Sequence, residues 1–173
     1  LRDKYHGRGT FIETRRREPH GKYTFTYECD FEDNVCSGEG TITFLDDSEE
    51  ETPLRMTTYE GQIQRWLMHG KGRFILNDDS HIEDYQGNFR NHKKHGEGDE
   101  SQVKSNAFMY SRGQWQDDKM HGEGVRKTAT TVYTGPFEND LMNGKFEVVV
   151  KKHLESSGEE AANAIMQIQN VNN

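Results

Sequence analysis

The sequence predicts an all-β fold: an elongated, single-layer antiparallel sheet built from consecutive β-hairpins. Three observations predict it. Marker glycines recur at residues 7, 38, 70, 96, 122 and 144, in steps of 31, 32, 26, 26 and 22, the range of repeat architectures. Within each unit apolar and polar residues alternate with a period of two. Midway through each unit the alternation changes phase at a pair of residues suited to a tight turn.

Each unit has the same parts in the same order. His6-Gly7, His69-Gly70, His95-Gly96 and His121-Gly122 each complete an HGxG, Ser37-Gly38 does so with serine, and Asn143-Gly144 lacks the second glycine. Nine residues before five of these markers stands an earlier landmark: Cys29, Gly61, Gly87, Gly113 and Gly135. An aromatic or large apolar residue follows by two: Phe31, Ile63, Phe89, Trp115, Phe137. A tyrosine precedes four landmarks by two: Tyr27, Tyr59, Tyr85, Tyr133. The first unit is incomplete. Its first strand would begin before residue 1, and the chain opens on Leu1, so it reads as a segment of a longer polypeptide.

The turn pairs are Asp33-Asn34, Arg65-Trp66, Asn91-His92, Asp117-Asp118 and Asn139-Asp140. Asn and Asp tolerate positive φ. Arg-Trp is a poor pair, which points to a wider loop there. An uninterrupted register from these turns sets Gly61 opposite Gly70, Gly87 opposite Gly96, Gly113 opposite Gly122 and Gly135 opposite Gly144. It also sets Tyr59 opposite Gly72 and Tyr85 opposite Gly98, where a ring can lie over the missing side chain. In that register Cys29 and Cys36 are diagonal, an unfavourable placement for a disulfide, so both are expected as buried free thiols.

The segments YEGQIQRWLMHGKGRF, YQGNFRNHKKHGEG, RGQWQDDKMHGEG and YTGPFENDLMNGKF resemble MORN repeats. The resemblance covers about residues 1–150. Cys29 departs from it in place of glycine, Ile63 in place of an aromatic, and Ser111 in place of tyrosine, with Tyr110 one position early. The resemblance implies stacked hairpins, scaffolding, cytoskeletal, axonemal or membrane-junction roles, and no intrinsic chemistry.

The composition of the whole chain, 31% apolar, 30% charged and 17 glycines, fits an open array, which is expected over residues 1–152. The tail, 153–173, differs. Ser157-Gly158-Glu159-Glu160 has capping-box spacing, and Ala161, Ala164, Ile165 and Ile168 recur at helical spacing. A short amphipathic helix is expected near 158–169.

The net charge of −8 argues against a nucleic-acid partner. Arg15, Arg16 and Arg17 form the one basic run; it reads as a solvated loop, with contact to phosphoinositide lipid as the weaker reading. The acidic run from Asp46 to Glu51 reads as a loop as well. His69, His95 and His121 fall on successive hairpins about 9–10 Å apart, too far to share a metal. No catalytic motif and no cofactor site emerges. A single-layer sheet leaves Tyr59, Tyr85, Phe89, Trp115, Tyr133 and Phe137 as an open aromatic face, the expected protein-binding surface. The sequence therefore reads as a cytoplasmic, non-enzymatic scaffold in a large assembly of other proteins, cytoskeletal, with a cilium or flagellum as the favoured setting. A homo-oligomer is compatible with this. The alternatives are a phosphoinositide- or membrane-associated module and an accessory region of a longer enzyme.

Overall fold

Among the described residues the alternation of apolar and polar residues is realised as thirteen strands in one antiparallel sheet. The computed structural model describes residues 4–16, 21–47, 55–78, 81–104 and 107–150, and the backbone of 162–168. The strands are β1 (Gly7–Arg16), β2 (Lys22–Glu32), β3 (Val35–Asp47), β4 (Arg55–Gln64), β5 (Leu67–Asn77), β6 (His81–Arg90), β7 (Lys93–Lys104), β8 (Ala107–Gln116), β9 (Lys119–Thr128), β10 (Thr131–Glu138), β11 (Leu141–Met142), β12 (Gly144–Val150) and β13 (Ala162–Ile168). They lie side by side in chain order; β11 is a short piece paired to β10.

All five expected turn pairs form tight turns, each with two positive φ values, such as 52° at Asn91 and 69° at His92. Arg65-Trp66 turns in the same way, not through a wider loop. The strain of φ > 0 on bulky residues is offset by packing. The Trp66 ring lies 5.1 Å from Phe11, 5.0 Å from Tyr27 and 5.7 Å from Phe31, and its amide donates to the Cys36 carbonyl at 2.9 Å. The second turn residue also joins successive units. Asp118 donates its amide to the Lys94 carbonyl and accepts the Lys94 amide on Oδ1; Asp140 does the same for Met120.

The register departs from the uninterrupted one. Ile63 pairs with Met68, but Gly61 pairs with Gly72, not Gly70. The same shift sets Gly87 against Gly98 and Gly113 against Gly124. The cause is a β-bulge at the marker glycine, which takes φ +59° at Gly70 and +68° at Gly96. Side chains replace the interrupted ladder: Gln62 accepts the Lys71 amide, and Asn88 donates to the Glu97 carbonyl. As a result Gly40, Gly61, Gly72, Gly87, Gly98, Gly113, Gly124 and Gly135 form one row across eight neighbouring strands.

That row explains the Tyr-x-Gly spacing. The Tyr59 ring lies over Gly72 and the Tyr85 ring over Gly98, where any added Cβ would collide with them. These pairs are diagonal, not directly opposite; Tyr59 pairs with Phe74 and Tyr85 with Glu100. The hydroxyls donate to bulge carbonyls that lack a ladder partner, Tyr59 to Gln62 at 2.6 Å and Tyr85 to Asn88 at 3.1 Å. Neighbouring units then stand edge to face: Tyr59 against Phe89 at 5.1 Å, Tyr85 against Phe89 at 5.1 Å and against Trp115 at 5.4 Å. Each ring covers the one before it. At about 150–250 Å² per ring and about 25 cal/mol per Å², burial contributes roughly 4–6 kcal/mol per aromatic.

Two further expectations are corrected. Cys29 and Cys36 are joined as a disulfide, both fully buried, with Cα atoms 5.8 Å apart. Phe31 still pairs with Cys36, so the two cysteines remain diagonal, but the register shift between Glu28 and Asp30 leaves Cys29 beside an irregular stretch, and the Cα separation falls within disulfide reach. The helix expected near 158–169 is not formed where the tail is described, because 162–168 is a strand on the edge of β12, with Val150 opposite Ala162 and Gly144 opposite Ile168. An isolated short helix is marginal, whereas the open edge of β12 offers a full set of backbone partners. Residues 158–161 and 169 lie outside the described residues.

Candidate functional site

The aromatic residues expected to face a partner face one another instead. Tyr59, Tyr85, Phe89, Trp115 and Phe137 are 0–4% exposed, and Tyr133 is half-buried against them. The expectation of an open aromatic face is corrected: the glycine row lets the rings lie down and seal the face from within. Even the Trp115 indole N–H is satisfied internally, donating to the Gly98 carbonyl at 3.0 Å. Burial pushes the Tyr59 phenol up to about 12, and pushes Tyr85 up as well, with the Glu100 carboxylate adding to the effect.

What interrupts the aromatic face is a charged cluster that the sequence reading did not single out. Lys94 stands where the other hairpins place Cys36, Met68, Met120 and Met142. Glu100 stands where they place Ile42, Phe74, Arg126 and Val148, and Glu83 where they place Phe25, Thr57, Met109 and Thr131. The signal was therefore present most plainly as a lysine at a position that is apolar in every other hairpin. It is visible once the units are aligned on their marker glycines.

The Lys94 ammonium contacts both carboxylates, Glu83 at 2.5 Å and Glu100 in a still closer pair. It lies 5.3 Å from the centre of the Tyr85 ring and 5.2 Å from that of Trp115. Burial disfavours its charge, but Glu100 and Glu83 more than offset this, and its pKa is raised. Glu100 is also raised, by burial, against the pull of Lys94. The two directions share one cause: a single ammonium serves the buried Glu100 and the partly buried Glu83, so the cation is held firmly while Glu100 is held toward its neutral form.

Around this cluster the inner face opens as a recess of about 610 Å³ between β4 and β9. Phe74, Leu76, Met109 and Trp115 form apolar walls, and Arg126 lies along one side. Arg126 donates to the Asp140 carbonyl at 3.0 Å and sits 4.9 Å from the Phe137 ring, while its buried Nε has no partner. Glu100, Ser111 and Arg126 are consecutive in one cross-strand row, and the Ser111 hydroxyl, 1% exposed, is also without a partner.

The residues expected to touch lipid are placed differently. Arg15 and Arg16 are exposed on β1, Arg15 pairs with Glu13 at 2.8 Å, and Arg17 lies outside the described residues.

A sheet that grows by one hairpin per unit and contacts mainly its sequence neighbours defines a linear repeat protein. The model of the MORN repeat matches residues 1–12, 27–48, 59–81, 85–101 and 112–130, more than half of the chain, and the chain belongs to the MORN-repeat family. No curated protein matches it. Repeats of this family make protein-interaction or membrane-binding modules, generally structural rather than catalytic.

Proposed function

We propose that the chain is a non-enzymatic scaffold, an interaction module that spaces other proteins within a large assembly, with the cytoskeleton, and a cilium or flagellum in particular, as its setting. One observation carries the scaffold reading: the main strands pair side by side in chain order from β1 to β12 while the aromatic face seals itself. The array therefore has its own core and needs no second layer to fold, which leaves its faces and edges for partners. The cytoskeletal and axonemal setting rests on the family resemblance. The charge of −8 and the Glu13–Arg15 pair weigh against an anionic membrane.

Detergent extraction of cells expressing the tagged chain tests this. The chain is expected in the insoluble cytoskeletal fraction, released when filaments are depolymerised. Recovery with membranes, together with binding to phosphoinositide vesicles at physiological salt, would replace this reading with the membrane one. Recovery as a free soluble species would remove the cytoskeletal setting.

A further inference from the structure

We propose that the recess on the inner face receives a basic side chain, arginine or lysine, presented by a protein partner. This rests on the interaction-module reading and names where and how one partner is held.

The argument begins with an imbalance. Glu83 and Glu100 share one cation, Lys94, and the side chains of Glu100 and Lys94 are 5% and 11% exposed. Buried carboxylates are costly unless each is paired. The recess as a whole repeats the imbalance: Arg55, Lys94 and Arg126 face Glu83, Glu100, Asp118 and Asp140. The Ser111 hydroxyl, unpartnered and opposite Glu100, is free to accept a hydrogen bond from an incoming cation. A second cation entering beside Lys94 would complete the pairing of two carboxylates.

The walls select the shape of the guest. Phe74, Leu76, Met109 and Trp115 can cover the aliphatic stem of a long basic side chain while its head reaches the carboxylates. The volume of about 610 Å³ is ample for one such side chain and the backbone that presents it. Alternative guests fit less well. An anion or an anionic lipid headgroup would meet surplus negative charge, and a second copy of this chain would bring the same net −8. A basic partner is favoured both at long range and at contact.

The recess reports its own occupancy, because Trp115 lines it and holds an ordered indole N–H. The test uses the isotopically labelled chain, titrated with the capped peptides Gly-Arg-Gly and Gly-Glu-Gly. The Trp115 indole resonance is assigned by the variant Trp66→Phe. The arginine peptide is expected to shift that resonance saturably and the glutamate peptide to leave it unmoved. Glu83→Gln should weaken the arginine peptide at least about tenfold, the usual scale for a hydrogen bond to a charged group. Gln102→Glu, which adds a carboxylate in the same recess, should tighten it, an effect that loss of folding would not produce. No saturable shift, equal response to both peptides, or unchanged affinity in Glu83→Gln overturns the proposal. If cellular partners are retained unchanged by Glu83→Gln, the site is wrong and the scaffold reading stands. If the arginine peptide binds as described but the chain recruits no protein in cells, the scaffold reading falls and the site stands.

Discussion

Replacing Lys94 with methionine gives β7 the residue that β5 and β9 carry at the same place, Met68 and Met120. The substitution keeps most of the stem and removes only the ammonium. In the wild-type fold that ammonium faces Glu83 and Glu100, whose side chains are 16% and 5% exposed. Lys94→Met therefore leaves two buried carboxylates facing each other without a cation. Breaking a buried ion pair on one side costs about 3–5 kcal/mol. For a domain of this size that corresponds to a fall in melting temperature on the order of 10 °C. Adding Glu83→Thr and Glu100→Phe copies the β4–β5 hairpin, where Thr57, Met68 and Phe74 occupy these positions. The recess has room for the new ring, and the triple variant should be neutral to about 4 kcal/mol more stable than wild type. The sign with pH follows. Burial already holds Glu100 toward its neutral form, and without Lys94 it ionises less readily folded than unfolded, so the deficit appears as pH rises past the unfolded carboxylate range and shrinks in acid. Urea unfolding followed by circular dichroism, at neutral and mildly acidic pH, measures all three quantities. A loss below about 1 kcal/mol in Lys94→Met, or a triple variant less stable than the single, would refute the reasoning.

Three other outcomes are expected. Gly98→Ala should destabilise by about 1–3 kcal/mol, because the new Cβ collides with the Tyr85 ring, and the double variant with Tyr85→Ser should recover part of that loss in the same urea assay. Tyr59 is held neutral up to about 12, whereas an unfolded tyrosine ionises near 10, so its stabilisation is complete below pH of about 10 and is lost as pH rises toward 12; ultraviolet titration should show Tyr59 and Tyr85 ionising after the exposed tyrosines, and joint ionisation of all of them near 10 with the fold intact would contradict the ring placement. Reduction of the Cys29–Cys36 bond, which closes a short hairpin loop, should lower stability by roughly 2–3 kcal/mol on the chain-entropy account, seen as a lower melting temperature in reductant that is absent in the Cys29→Ser/Cys36→Ser variant.

The hairpins, their order and their turns were legible because they are local. Period-two alternation fixes a strand wherever it occurs, and a pair such as Asp33-Asn34 or Asn91-His92 fixes where the chain reverses. Even Arg65-Trp66 could be located from the phase change, although its tightness comes from the rings around Trp66. Register beyond the turn was not legible. It depends on positive φ at one glycine of each marker, and the sequence does not distinguish Gly70, which makes the bulge, from Gly72, which joins the row.

The fate of the aromatic residues followed from that register. Both registers bring Tyr59 near Gly72 and Tyr85 near Gly98; only the bulged one sets Gly61 opposite Gly72 and so makes a continuous glycine row over which the rings of successive units bury one another. The charged recess was hidden for a different reason: the uninterrupted register already sets Glu83 opposite Glu100, but Lys94 stands opposite Phe89, and its contact with both carboxylates is decided by side-chain packing on the inner face. The strand at 162–168 shows the same division. Its residues satisfy a helical stripe, and the free edge of β12 decides in favour of a strand. The sequence by itself determined the repeat, the hairpins and their turns, because these rest on side-chain periodicity and on local backbone preference. Only the tertiary structure decided which residues meet across the bulges, because those contacts depend on backbone dihedrals and on packing between units that no single segment encodes.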